Sequence, residues 1–233
     1  MKKIYISAAF FAVFATVASA PAFGQKAVVT SDEVGRITGK AERKLDNASF
    51  RVMLTTEWFN ERDGASFSKI TETFATLNPD RFQIISETGG NRIETLVVND
   101  KTFRRTNEED WESVAVSPVR KAGSEASAAR FGDLAGGAFE PKGIGKFVSR
   151  GTIGGVEVSM YETRSVQADS TKGGMTRTET TQSWIDNEGR LVRKITEQEI
   201  AGEDKRFMRS VADYSYTDIR IEEPIIPIKA EDK

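Results

Sequence analysis

Cysteine and histidine are both absent from the 233 residues of this sequence. The absence of cysteine excludes disulfides, iron–sulfur clusters, thiol nucleophiles and cysteine-based zinc sites. The absence of histidine removes the commonest general base near neutral pH and the commonest metal ligand, and it excludes a Ser-His-Asp triad. We therefore expect a protein that is not an enzyme and that uses neither a metal nor another cofactor.

The chain also has no excess of basic over acidic residues. The chain has 33 Lys and Arg against 35 Asp and Glu, for a formal net charge of −2. Nucleic-acid binding needs a clustered basic surface, so we expect no nucleic-acid partner. The 38% of hydrophobic and 29% of charged residues are ordinary for a folded chain, and the length suits one domain.

The first residues have the pattern of an export signal. Lys2 and Lys3 precede an apolar stretch over residues 4–20, and Ala22 and Gly24 are small residues at the positions that signal peptidase requires. The alternative is a membrane anchor, but the stretch is shorter than the roughly 20 residues that span a bilayer. We predict a signal peptide over 1–24, removed on export, and one domain over 25–233 that lies in the periplasm and has no transmembrane segment.

An amphipathic helix is predicted directly after the leader. Thr30 and Glu33 have the spacing of a capping box at a helix start. Apolar residues then recur every three or four positions, at Val34, Ile37, Ala41, Leu45 and Ala48.

From Phe50 the apolar residues alternate with polar ones, which predicts strands. The first meander contains a strand beginning at Phe50 and strands over 66–77, 81–86, 92–98, 101–105 and 111–116. The second contains strands over 147–150, 156–166, 175–185, 191–200 and 207–221, and a polar tail begins at about residue 222. A short helix is predicted between them, over 124–135. About ten antiparallel strands curl rather than stay flat. The predicted fold is therefore α+β and mainly antiparallel β, an unclosed β-barrel whose concave face is covered by the two helices.

Several short segments resemble the LolA/LolB-like, or LppX-like, lipoprotein-carrier superfamily of periplasmic proteins. They occur at residues 50–52, 78–82, 97–103, 184–191 and 221–224, together with Trp111. The resemblance implies an unclosed barrel capped by helices, with an interior that receives acyl chains.

The apolar strand faces are the candidate binding site. A curled sheet under a thin helical cover leaves its interior partly unfilled, and apolar contact there contributes about 0.8 kcal/mol per buried CH₂. The candidate residues for the hydrophobic cavity are Phe50, Val52, Leu54, Trp58, Phe74, Phe82, Ile84, Ile93, Phe103, Trp111, Phe131 and Leu134. We expect the ligand to enter when the helix over 124–135 moves aside.

The leading hypothesis is a non-catalytic carrier for a lipid, a lipoprotein acyl chain or another hydrophobic ligand. One alternative is an envelope sensor or scaffold of the same fold that binds a partner protein. Another is an acid–base enzyme that uses carboxylates such as Glu108 and Glu109. The Ser66-x-x-Lys69 pattern does not support hydrolase chemistry, since an offset of three on a strand places the two side chains on opposite faces.

Overall fold

The structure, a computed structural model, describes residues 29–62, 64–77, 80–114, 144–169, 175–201 and 206–226. Both the signal peptide predicted over 1–24 and the helix predicted over 124–135 lie outside these residues.

Helix α1 covers Ser31–Arg43 and begins at the predicted capping box. The Thr30 hydroxyl accepts a hydrogen bond from the Glu33 backbone N–H, and the Glu33 carboxylate accepts one from the Thr30 N–H. A 3₁₀ turn over Lys44–Asn47 continues the helix. The predicted apolar stripe is confirmed, because Val34 and Ala41 are buried and Ile37 and Leu45 pack beside them.

In the described part of the chain eleven strands follow, all of them antiparallel to their neighbours. The first meander comprises β1 (Phe50–Phe59), β2 (Ser66–Leu77), β3 (Arg81–Thr88), β4 (Asn91–Val98), β5 (Lys101–Thr106) and β6 (Glu112–Val114). The second comprises β7 (Ile144–Ile153), β8 (Val156–Asp169), β9 (Met175–Asp186), β10 (Leu191–Ala201) and β11 (Arg206–Ser215).

The strands form a single open sheet in the order β6-β5-β4-β3-β2-β1-β11-β10-β9-β8-β7. Each meander is contiguous in sequence, and the two are joined where β1 pairs with β11, from Arg51 opposite Ser215 to Phe59 opposite Phe207. Both edge strands, β6 and β7, lack a further neighbour among the described strands, so the sheet is not closed. The predicted unclosed, mainly antiparallel half-barrel with an N-terminal helix is confirmed.

The two faces of the sheet differ in what covers them. We call the face that carries Phe50, Val52 and Leu54 the helix-side face, because α1 and the 3₁₀ turn pack on it. Ala41 contacts Ile185 and Leu191 there, and Leu45 contacts the cluster around Phe50. The opposite side is the outer face.

The last strand ends earlier than predicted. We expected a strand over 207–221, but β11 stops at Ser215, and residues 216–226 form no regular element. These residues, the C-terminal segment, cross the end of the sheet: Ile219 contacts apolar clusters on both faces, and Ile221 is buried against Ala75, Val98 and Phe103 on the outer face. The apolar spacing that resembles a strand therefore reflects packing of an irregular segment.

Candidate functional site

Charged residues are distributed unequally between the two faces. Paired residues of antiparallel strands lie on the same side of a sheet, so the strand register assigns each residue to a face. In the five central strands, from β3 through β2, β1 and β11 to β10, the charged residues on the helix-side face are Glu72, Lys194 and, at the start of β11, Arg206. The helix-side face is therefore mainly apolar and hydroxyl-bearing.

The outer face of the same strands carries a network of ion pairs. Glu57 lies 3.4 Å from Lys69, Glu197 lies 3.1 Å from Arg62, and the Asp213–Arg193 pair is separated by 2.6 Å. At one side of the sheet, hydrogen bonds from Lys146 and Gln182 lower the pKa of the Glu162 carboxyl. Such a surface is solvated, so an apolar ligand is expected on the opposite face.

Four of the predicted cavity residues form the packed floor of the helix-side face. Phe50, Val52, Leu54 and Phe74 are buried against one another and against Ala212. The Phe50 and Phe74 rings lie 5.7 Å apart between centroids. A ligand can touch these side chains only where the covering residues leave them accessible.

Four other predicted residues lie on the same face and keep accessible surface. Trp58, Phe82 and Ile84 are half-buried, and Ile93 is 37% exposed. Trp58 lies opposite Ser68 on β2 and opposite Met208 on β11. It is at the end of β1 that is far from the 3₁₀ turn.

The remaining predicted residues are separated from this group. Phe103 pairs with Leu96, which places it on the outer face, and Trp111 packs into the same outer cluster beneath Ile221. The Arg105 guanidinium lies 4.7 Å from the centroid of the Trp111 ring. We therefore leave Phe103 and Trp111 out of the site, and Phe131 and Leu134 lie outside the described residues.

A transverse row of hydroxyl side chains on the helix-side face was missed by the sequence analysis. In register it runs Thr163, Thr181, Thr196, Ser210 and Thr56. The Thr56 and Ser210 hydroxyls are 3.1 Å apart, and those of Thr181 and Thr196 are 3.4 Å apart. Met208, next to Trp58, was missed as well. Sequence alternation shows which residues of one strand share a face, but the pairing of β1 with β11 and β10 was needed to bring these residues together.

Helix α1 is held on the sheet at its first turn. The Ser31 hydroxyl accepts a hydrogen bond of 2.9 Å from the Gly145 N–H and donates one of 3.2 Å to the Gly145 carbonyl. Val34 is fully buried above Gly145, where an added Cβ would lie 2.9 Å from the Val34 Cβ. Glycine is needed here because the helix approaches the strand backbone closely.

Polar contacts hold the other end of the helix. The Lys194 ammonium lies 2.7 Å from the Glu42 carboxylate, and Lys44 donates a hydrogen bond to the Glu188 carbonyl. The helix thereby crosses from β7 towards β10.

Two tyrosines pack against the apolar clusters that α1 and the 3₁₀ turn cover. The Tyr216 hydroxyl donates a hydrogen bond of 2.9 Å to the Leu191 carbonyl. Burial raises the pKa of Tyr216 to about 12 and also raises the pKa of Tyr214. Both phenols are therefore neutral at physiological pH.

The described residues include no group of three or more Asp and Glu side chains able to hold a metal ion. Lys69 of the Ser-x-x-Lys pattern is ion-paired with Glu57 on the outer face. In the described part of the chain, no helix has the length and apolar character needed to cross a bilayer.

No family model matches this chain, and no curated protein matches it. Solved structures do match. LprF from Mycobacterium bovis is 17% identical, with a TM-score of 0.49, and the match covers 84% of this chain and 99% of that one. The lipoprotein LppX from Mycobacterium tuberculosis is 14% identical, with a TM-score of 0.40 and coverage of 81% and 99%. A LolA superfamily protein from Nitrosomonas europaea is 14% identical, with a TM-score of 0.26 and coverage of 84% and 96%.

Proposed function

We propose that this chain is an exported, non-catalytic carrier that binds a lipid, a lipoprotein acyl chain or another hydrophobic ligand on the helix-side face of its sheet. The observation that carries the proposal is the unequal distribution of charged residues between the two faces of the sheet. The outer face of the central strands carries many ion pairs, whereas the helix-side face is mainly apolar and hydroxyl-bearing. Export rests on the leader pattern over residues 1–24.

Accessible apolar side chains support the proposal further. Trp58 and Ile93 keep exposed surface on the helix-side face beside a buried apolar floor. A chain of twelve carbons laid over such a surface gains about 9 kcal/mol at about 0.8 kcal/mol per CH₂, before the costs of ordering and association. The costs of ordering and association offset part of this gain.

The test is a titration with a neutral fluorescent apolar dye, comparing the natural chain with Trp58→Ala and with Trp184→Ala. Trp184 is the matched control because it is also half-buried but lies on the outer face, where it pairs with Arg193 and Met160. We expect Trp58→Ala to weaken binding about tenfold, which corresponds to about 1.4 kcal/mol, and Trp184→Ala to leave it within twofold.

Equal affinity of Trp58→Ala and the natural chain would contradict the proposed site. Native mass spectrometry of protein from its own host provides the second measurement, in which a co-purifying lipid supports the carrier. A protein partner without any lipid would favour the sensor or scaffold instead.

A further inference from the structure

Among the described residues, Glu72 is a carboxylate that has no cation beside it on the face proposed to bind the ligand. It lies at the centre of β2, half-buried, between Ile70 and Phe74 on its own strand. Its cross-strand neighbours are Leu54 on β1 and Ser86 on β3. The four diagonal positions on the same face are uncharged as well.

Within the described parts of the chain, no hydrogen bond or ion pair joins the Glu72 carboxylate to another side chain or backbone group. Several carboxylates on the outer face of the central strands do have partners, since Glu57, Glu197 and Asp213 each lie within 3.4 Å of a cation. Glu72 therefore differs from these three carboxylates in having no cation beside it among the described residues.

The cations nearest in register do not compensate for Glu72. Lys194 lies on the same transverse row but three strands away, and it is bound to Glu42. Arg104 lies three strands away in the other direction, on the adjacent row that contains Phe74. At about 4.8 Å between strands, the backbone of Lys194 is roughly 14 Å from that of Glu72, and the backbone of Arg104 is somewhat farther. The middle of the helix-side face thus carries a carboxylate among uncharged apolar and hydroxyl-bearing side chains.

A negative charge in such surroundings favours a cationic partner, because charges interact more strongly where water is partly excluded. We propose that the ligand is an amphiphile with a cationic nitrogen, an ammonium group that binds the Glu72 carboxylate while its hydrocarbon lies on the apolar floor. This inference rests on the proposed function and names the class of ligand. An anionic headgroup is disfavoured at the same position by like-charge repulsion.

The experiment compares three twelve-carbon probes at pH 7: dodecylammonium, dodecanol and dodecanoate, each displacing a neutral fluorescent apolar dye. We expect the natural chain to bind dodecylammonium about tenfold more tightly than dodecanol, and dodecanoate more weakly than either. Glu72→Gln should bind dodecylammonium and dodecanol within twofold of each other. Glu57→Gln, on the outer face of the neighbouring strand, should keep the preference.

Equal binding of dodecylammonium and dodecanol by the natural chain would overturn the inference, and so would a preference that survives Glu72→Gln. If Glu72→Gln does not fold, the relative affinities of the natural chain for dodecylammonium and dodecanol alone decide whether a cationic nitrogen is preferred. Failure of all three probes to bind would instead overturn the proposed function, so the two failures are distinguishable.

Discussion

Replacing Gly145 by alanine tests how α1 is attached to the sheet. The new Cβ would lie 2.9 Å from the Val34 Cβ, 3.0 Å from the Val34 Cγ1 and 3.1 Å from the Ser31 carbonyl oxygen. Two of these atoms belong to a fully buried side chain and the third to the helix backbone, so none moves without shifting the first turn of the helix. That shift also lengthens the two hydrogen bonds between Ser31 and Gly145.

The expected loss follows from these contacts. Overpacking a closed site costs about 1–3 kcal/mol, and strained hydrogen bonds raise the loss towards the upper end of that range. For a chain of this size 1 kcal/mol corresponds to about 2–4 °C in melting temperature. We therefore expect Gly145→Ala to lower the melting temperature by about 4–10 °C and to speed amide hydrogen exchange in α1.

The matched control is Gly151→Ala on the same strand. A Cβ at Gly151 meets nothing within 4 Å, so this variant should be as stable as the natural chain or slightly more stable, because alanine reduces the entropy of the unfolded state. Calorimetry of both variants provides the measurement. The described attachment of the helix would be refuted if Gly145→Ala melted within 1 °C of Gly151→Ala.

Two further predictions concern the end of the sheet. Ile221→Ala should lower the free energy of unfolding by about 2–5 kcal/mol, because Ile221 is 3% exposed. Ile225→Ala is the control and should change that free energy by less than about 0.5 kcal/mol, because Ile225 is 93% exposed. Similar urea midpoints for the two variants would show that the C-terminal segment does not pack as described. Stability should also fall as the pH rises above 10, by up to about 1.4 kcal/mol per pH unit for each phenol, since the unfolded state releases the protons of Tyr214 and Tyr216 before the folded state does. Tyr214→Phe should reduce that slope in urea titrations at pH 9 to 11, and an unchanged slope would contradict the burial of the phenol.

Much of the fold was predictable because the local signals are strong. The capping box at Thr30 placed the start of α1, and the alternation from Phe50 placed β1. The turn at Asn99 and Asp100 adopts positive φ at both residues, 48° and 71°, as a tight hairpin requires. Each of these features depends on a few neighbouring residues.

The site was less predictable because it depends on pairing between distant strands. Alternation shows that Phe103 and Arg105 share a face, but the sequence does not show that this face is opposite to that of Phe50. That assignment needs the register through β2, β3 and β4. The hydroxyl row and the isolation of Glu72 arise in the same way, from residues of separate strands that the register brings together.

The junction between β1 and β11 has a consequence for how the chain folds. Within each meander every strand pairs with its neighbour in sequence, so both halves can assemble from local hairpins. Residues 51–59 must nevertheless wait for residues 207–215, which are synthesised after all the other described strands. Until then a long strand with an unpaired side stays open at the centre of the future sheet, the state in which β-proteins are most prone to aggregate. A chaperone acting on the newly made chain would therefore be most needed at β1.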